Sequence, residues 1–383
     1  MKKTNFTLIV FTLMNFVLSM TASVFNGILD KVAISLNISV ANSGLLNTMY
    51  AYGAAVGVPI TLILFRKIER TKMLKIMLFI TILMTLALVF AQNFGQLLII
   101  RLITGISANS YGVLATSMVV SLSTKEKQGR LMAFYITGAS LALVVGIPLT
   151  RVLSSVLDWR SIFWILNIIM ILVLIYFKNY LPEGNHESTK LDLKNELKFF
   201  KDGKTLMVII YTLVTFVGYG AFYTYITPYL LLLFPSIETM MSFILVVLGI
   251  ASFMGNLIGG YVSDRICYSK SLLLGGGLQM ATMIFLYVFQ SVKWLSVFFA
   301  ILWLMNAWFI GLQLNTGIAQ VTKNKSSFMI SINSSAIQLG GAIGSSLAAI
   351  VISLSGIQNI IFITMLTSLV IILIQIISIK KYS

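Results

Sequence analysis

A hydrophilic stretch from Lys178 to Lys204 divides this 383-residue chain into two hydrophobic halves of nearly equal length, and each half parses into six apolar runs of roughly 20 residues. A run of that length carries an α-helix across a bilayer, where an unpaired backbone polar group has no water to bind and only helices or closed barrels survive. The expected fold is therefore an all-α membrane protein of twelve transmembrane helices in two pseudo-symmetric halves. The N-terminal six-helix bundle takes 1–180, a cytoplasmic linker 181–204 and the C-terminal six-helix bundle 205–383. The first-half spans fall near 7–29, 42–65, 73–92, 95–120, 130–153 and 161–180, and the second-half spans near 205–233, 240–262, 271–290, 294–317, 328–355 and 357–379.

Composition excludes a water-soluble domain: 58% of residues are hydrophobic, 10% are charged and the mean hydropathy is +0.97. The formal charge of +16 would suggest nucleic acid in a soluble chain, but here membrane topology accounts for it. With both termini placed in the cytoplasm, all but five of the 27 basic residues lie on that side. The exceptions are Lys31, Arg151, Arg160 and Lys293 outside, and Arg101 within a span. This bias predicts a multi-pass protein of a bacterial-type inner membrane with its termini inside. Lys2 and Lys3 begin like a signal peptide, but the apolar run is too long and lacks a small-residue cleavage site, so it reads as a mature span. The alternating charges Lys190, Asp192, Lys194, Glu196 and Lys198 read as a solvated linker. Cys267 stands alone, which rules out an internal disulfide.

The halves echo one another. After the second span comes FRKIERTKML (65–74), and at the matching place after the eighth comes GGYVSDRICYSKSLLL (259–274). This pair resembles the signature loops of the major facilitator superfamily, a Gly with Asp-Arg four residues on and further basic residues. Gly260, Asp264, Arg265 and Lys270 fit the pattern, whereas the first copy departs, with Leu62 and Arg66 in place of Gly and Asp and only Lys67, Arg70 and Lys72 as its basic part. RLITGISANSYG (101–112) is similar to the fourth-helix pattern, and GASLALVVGIPLTRVLSSVLDWRSIFW (138–164) to the fifth-helix antiporter pattern through Gly138, Gly146 and Pro148, followed by the Trp-Arg and Phe typical of bacterial sugar, nucleoside and purine efflux pumps. SINSSAIQLGGAIGSSLAAIV (331–351) matches the eleventh-helix style of that subgroup. The resemblance implies a drug/proton antiporter type of transporter, loops that latch the halves on the cytoplasmic side, and a bend in the fifth helix that seals the path against leak. Read as residues alone, the loops are topogenic charge, and Gly138, Gly146 and Pro148 make a close-packed, kinked helix.

An Arg near mid-span costs about 2.5–3.5 kcal/mol on insertion scales, so Arg101 must face protein or a wet cavity, either as a functional group or as a cap on backbone carbonyls. Asn15, Ser19, Ser23 and Asn26 recur every three or four residues and form one polar stripe on the first span. The seventh span presents Tyr211, Thr215, Tyr219 and Phe222, the tenth Trp303, Asn306 and Gln313, and the eleventh Ser334, Gln338 and Ser345. Such a lining suits a small, flat or amphipathic, largely neutral solute, although each residue could equally bond to a neighbouring helix. Gly340, Gly341, Gly344 and Ser345 read as helix interface. All eleven carboxylates fall in loops or at helix ends, and Ala22 stands where related pumps carry an acidic residue. Asp30, at the outer end of the first span, is the nearest candidate proton carrier, with interfacial solvation as its ordinary role. Enzyme chemistry finds no support: there is no G-x-x-x-x-G-K-[ST] loop, and His186, the sole histidine, sits in the linker, which removes His-based metal sites. No metal or cofactor is expected, and the partners are a small-molecule substrate, protons and the lipid bilayer, with no nucleic acid. The expected protein is a monomeric exporter of a small organic solute or drug in exchange for protons. Uptake or uniport, and a non-transporting sensor or scaffold with the same fold, are the alternatives.

Overall fold

The computed structural model describes residues 2–64, 68–121, 128–181, 202–263, 265–266, 268–322 and 327–382. Among these the chain is helical almost throughout and contains no strand. In the first half, α1 (Lys2–Leu36), α2 (Val40–Leu64), α3 (Arg70–Phe90) and α4 (Phe94–Ser121) are followed by α5 (Gln128–Leu141), a π turn (Ala142–Gly146), α6 (Ile147–Val156) and α7 (Arg160–Tyr180). The second half holds α8 (Gly203–Tyr223), α9 (Ile226–Leu233), a 3₁₀ turn (Pro235–Met240), α10 (Met241–Ser263), α11 (Tyr268–Val288), α12 (Lys293–Val321), α13 (Ser327–Ser355) and α14 (Ile360–Tyr382). Eleven spans among the described residues are long and apolar enough to cross a membrane. The 25-residue α2 completes the expected twelve. Their outward faces carry Phe243, Leu172, Ile99 and Leu366, large apolar side chains left exposed for lipid.

Three spans differ from the sequence expectation, and in two of them a proline gives the reason. The seventh is not continuous over 205–233: it breaks at Thr224 and Tyr225 and resumes as α9. Pro228 has no N–H for the Thr224 carbonyl, and its ring crowds that carbonyl. The fifth does more than kink. Pro148 likewise leaves the Val144 carbonyl without its donor, and the preceding turn widens so that the Ile147 N–H reaches Ala142 O, five residues back. The first span runs on to Leu36, past the expected end at 29, with non-helical geometry at Ile28 (φ −134°, ψ 18°).

Helices in lipid gain no hydrophobic energy from each other, so small residues and hydrogen bonds set the contacts. Gly53 and Gly57 of α2 sit against the backbone of Leu102 and Ile106 in α4, so a Cβ at either would strike main-chain atoms. Gly255 and Gly259 of α10 do the same against α12, Gly255 on the Met305 carbonyl and Gly259 more loosely between the Leu312 side chain and the Phe309 carbonyl. The halves thus share a G-x-x-x-G seam at equivalent places. The Asn109 amide donates to Ala54 O at 2.9 Å in one seam, and the Gln313 amide to Gly259 O at 2.8 Å in the other. Gly340 and Gly344 pack on the α8 backbone, as the interface reading of that stretch requires. At the start of α7, Trp159 is buried against Phe25 at 5.8 Å, Arg160 lies 4.5 Å over its ring, and Asp158 accepts from the Arg160 N–H at 2.8 Å. The Trp-Arg pair therefore anchors a helix start.

Candidate transport site

The polar stripe of α1 meets the seam between the halves at its last member. Asn15 donates to Tyr135 O of α5 at 2.9 Å, and Ser23 bonds back to Ser19 O within its own helix. Asn26 behaves differently. Its side-chain oxygen accepts from the Asn47 amide of α2 at 2.5 Å, and its carbonyl accepts from Thr227 of α9, across the seam, at 2.7 Å. Tyr223, at the end of α8, interacts through its hydroxyl with both Asn26 and Tyr219. A small cavity opens at this junction, with Asn26 and Tyr223 as its polar wall and Leu143, Ile147, Ile226 and Leu248 around them.

An aromatic wall continues from Tyr223. Its ring stacks on Tyr219 at 4.9 Å, Tyr219 stacks on Trp303 of α12 at 5.9 Å with planes 17° apart, and Phe222 meets Trp303 edge-on at 4.8 Å. Trp303 is fully buried, and its indole N–H has no hydrogen-bond partner among the described residues. Buried donors of this kind are uncommon without a partner, so a polar ligand atom beside it would be stabilising.

The remaining predicted residues are placed as follows. Arg101 is fully buried in a cage of backbone carbonyls: Nε donates to Leu46 O at 3.1 Å, and the two terminal nitrogens to Thr21 O at 2.8 Å and Ala22 O at 3.2 Å. Phe25 and Tyr50 flank its guanidinium at 4.9 and 4.5 Å. The capping alternative is the geometry observed, and the carbonyl of Ala22 is one of its three acceptors. Asn306 is spent on α11, donating to Gly275 O at 2.8 Å and to Gln279 at 2.9 Å, so it is a helix staple rather than a wall of the cavity. Gln338 is half-buried on α13. Gly138 and Gly146 abut Thr12 O and the Met20 sulfur of α1, where a Cβ would clash. On the loops, Arg70 donates to Ser117 at 2.9 Å, Lys72 is exposed, Gly260 has open space around it apart from Leu312 at 3.8 Å, and Arg265 lies 4.1 Å over the Tyr261 ring. Asp264 lies outside the described residues.

Asp30 requires correction. It is not a solvated interfacial carboxylate: its side chain is 20% exposed and pairs at 2.5 Å with Arg151 of α6, itself 3% exposed. The physical reason is that Arg151, counted among the outer charges by sequence, lies inside the bundle and needs a counter-charge. Glu238 of the other half lies 3.7 Å from the second Arg151 nitrogen. Of the residues sequence reasoning missed, Tyr223 was within reach, because the four-residue step through Tyr211, Thr215 and Tyr219 continues to it. Asn47, Thr227 and the Arg151 triad carry no local signal.

A bundle of membrane-spanning helices with a polar and aromatic junction buried inside it has the architecture of a membrane transporter. The sequence profile described as Major Facilitator Superfamily matches residues 11–322, and the chain belongs to that family. It is 26% identical over 343 residues to an uncharacterized MFS-type transporter, YbcL, of Bacillus subtilis, covering 89% of this chain and 87% of that one. It is 27% identical over 366 residues to a protein of Helicobacter pylori strain P12 named probable sugar efflux transporter, covering 91% and 90%. Among solved structures it resembles the xylose transporter XylE from E. coli in a partially occluded inward-open conformation, with TM-score 0.74, 14% identity and coverage of 96% and 97%. The chain is a membrane transporter of a small solute and not an enzyme.

Proposed function

We propose that the protein exports a small, largely neutral organic solute across a bacterial-type inner membrane in exchange for protons, as a monomer with both termini inside. The seam between 1–180 and 205–383 is the path. The observation that carries this reading is the junction of Asn26, Asn47 and Tyr223 with the wall of Tyr219 and Trp303, which offers hydrogen bonds and flat apolar faces but no charged side chain. Sugar-like solutes fit that chemistry, and the efflux names of the Helicobacter relatives support the direction. Orientation rests on the cytoplasmic excess of Lys and Arg. Asn15, Ser19, Ser23 and Gln338 extend the path along α1 and α13.

The test uses inverted membrane vesicles containing the purified protein, with the interior acid, screened with labelled sugars, nucleosides and antibiotics. Accumulation that collapses when the gradient is dissipated is the expected result. A uniporter is the second reading, and one observation favours it: Arg101 is satisfied by three carbonyls, and among the described residues no carboxylate pairs with it. Equilibration that ignores the gradient would establish that reading and remove proton exchange.

A further inference from the structure

Arg101 places a whole positive charge inside the bundle, and its partners are neutral. It donates to the carbonyls of Leu46, Thr21 and Ala22, and its flanks are the rings of Phe25 and Tyr50. Among the described residues no carboxylate pairs with it. Asp30 lies eight residues beyond Ala22, about 12 Å along α1, and is held by Arg151 at 2.5 Å. Carbonyl dipoles lower the cost of burying the guanidinium, but they carry no net charge and do not cancel its field at a distance. In a medium of low effective dielectric that field reaches farther than it would in water.

Its position decides where the field falls. In a helix the Ala22 carbonyl also accepts from the Asn26 N–H, so Arg101 Nη2, 3.2 Å from that carbonyl, stands no more than about 6 Å from the Asn26 backbone. Asn26 lines the cavity, and the residues that line it with Asn26 are all uncharged. Ser23 follows Ala22 on the polar stripe and is half-buried. In the aromatic wall, the fully buried Trp303 indole can only donate, and its N–H has no partner among the described residues. A solute atom seated against it must be an acceptor. The field and the free donor therefore favour the same sign of charge.

We propose that Arg101 is a specificity-determining residue that acts without touching the solute: it makes the path beside Ser23 and Asn26 electropositive, so that small organic anions enter it and cations of the same shape are shut out. At about 8 Å and an effective dielectric of about 20, one unit charge changes occupancy roughly thirtyfold, in opposite directions for the two signs. The inference rests on the transport reading in taking this cavity as part of the solute path, and it adds the charge that the path selects.

Charged thiol reagents test it on the purified protein, with neither solute nor gradient present. Ser23→Cys is made in a Cys267→Ser background, and its reaction rates with an anionic and a cationic methanethiosulfonate of similar size are compared. Dividing one rate by the other cancels the reactivity of the cysteine itself, and the same ratio for a free thiol in solution is the reference. The anion-to-cation ratio at Ser23→Cys should exceed the reference tenfold or more, survive high salt, and be smaller at Asn15→Cys, about 12 Å away along α1. Adding Arg101→Gln should bring the ratio to the reference and Arg101→Lys should keep it, each read only where melting shows folded protein; the comparison of Ser23→Cys with Asn15→Cys needs neither. A ratio at Ser23→Cys equal to the reference overturns the proposal and leaves the export reading standing. A ratio that is larger at Asn15→Cys, or that vanishes in salt, assigns the field to surface charges and overturns it as well. No reaction with either reagent would put the stripe off any water-filled path and remove the site that both readings share.

Discussion

At the scale of single residues, Arg101 shows what burial asks of a charge. Its position inside a span was legible, since a cation there must find partners, but the partners were not. Backbone carbonyls carry no sequence signature, and those of Thr21, Ala22 and Leu46 come from two other helices. Arg101→Ala would leave three carbonyls without their charged donor and open a void between Phe25 and Tyr50. The expected cost is about 3 kcal/mol or more. It would be read as a fall in the melting temperature of the purified protein, and Arg101→Lys should recover little, because a point ammonium cannot fork to three acceptors. A melting curve unchanged in the Ala variant would show that the cage contributes nothing to stability. Tyr223 gives the contrasting case. Tyr223→Phe keeps the stacking on Tyr219 and removes only the hydroxyl that meets Asn26. Melting should move little while solute transport in vesicles falls about tenfold, the loss expected from one polar contact of about 1.4 kcal/mol. Equal transport by the variant would exclude Tyr223 from the path.

At the scale of elements, the sequence was readable wherever length and hydropathy decide the outcome and silent wherever two helices must meet. The twelve spans follow from apolar runs, but the extension of α1 to Leu36 goes with contacts that no local pattern announces, Asp30 with Arg151 and Ser35 with Trp159. Pro148 announced a bend; the π turn that it shapes also depends on Gly146, which must pass the Met20 sulfur. Pro228 carried the same information for the seventh span and explains the break there. Pro148→Ala supplies the missing N–H, so the fifth span should relax toward a continuous α-helix. Losing the extra residue of the π turn rotates everything beyond it, and Arg151 then turns away from Asp30. The expected outcome is an unchanged or slightly raised melting temperature with transport reduced. Full transport in the Ala variant would separate the π turn from function.

At the scale of the whole molecule, the halves touch along a seam whose closeness depends on glycines, Gly44 of α2 against the Tyr225 ring and Gly249 of α10 against the π turn. A Cβ on Gly249 would come within 2.6 Å of Leu143 O and of Val144 Cα in the π turn of the other half. Thr48 to Ser345 at 2.7 Å and Tyr52 to Ser346 at 3.2 Å extend the same seam between α2 and α13. The repeat was visible in the paired loops, yet the seam was not, because residues hundreds of positions apart form it. Gly249→Val adds volume only where the halves meet, so each six-helix bundle should still fold. The arrangement with this seam closed should lose about 1–3 kcal/mol, a shift of roughly tenfold to a hundredfold in favour of conformations in which α10 stands away from the π turn. A cysteine placed at Leu245, on the cavity wall, should then react faster with a membrane-impermeant thiol reagent applied from the Asp30 side, and net transport should fall because the cycle must pass through the closed seam. Unchanged labelling and unchanged transport would mean that the seam yields without cost, and the alternation between its closed and open forms would then have to be controlled elsewhere in the molecule.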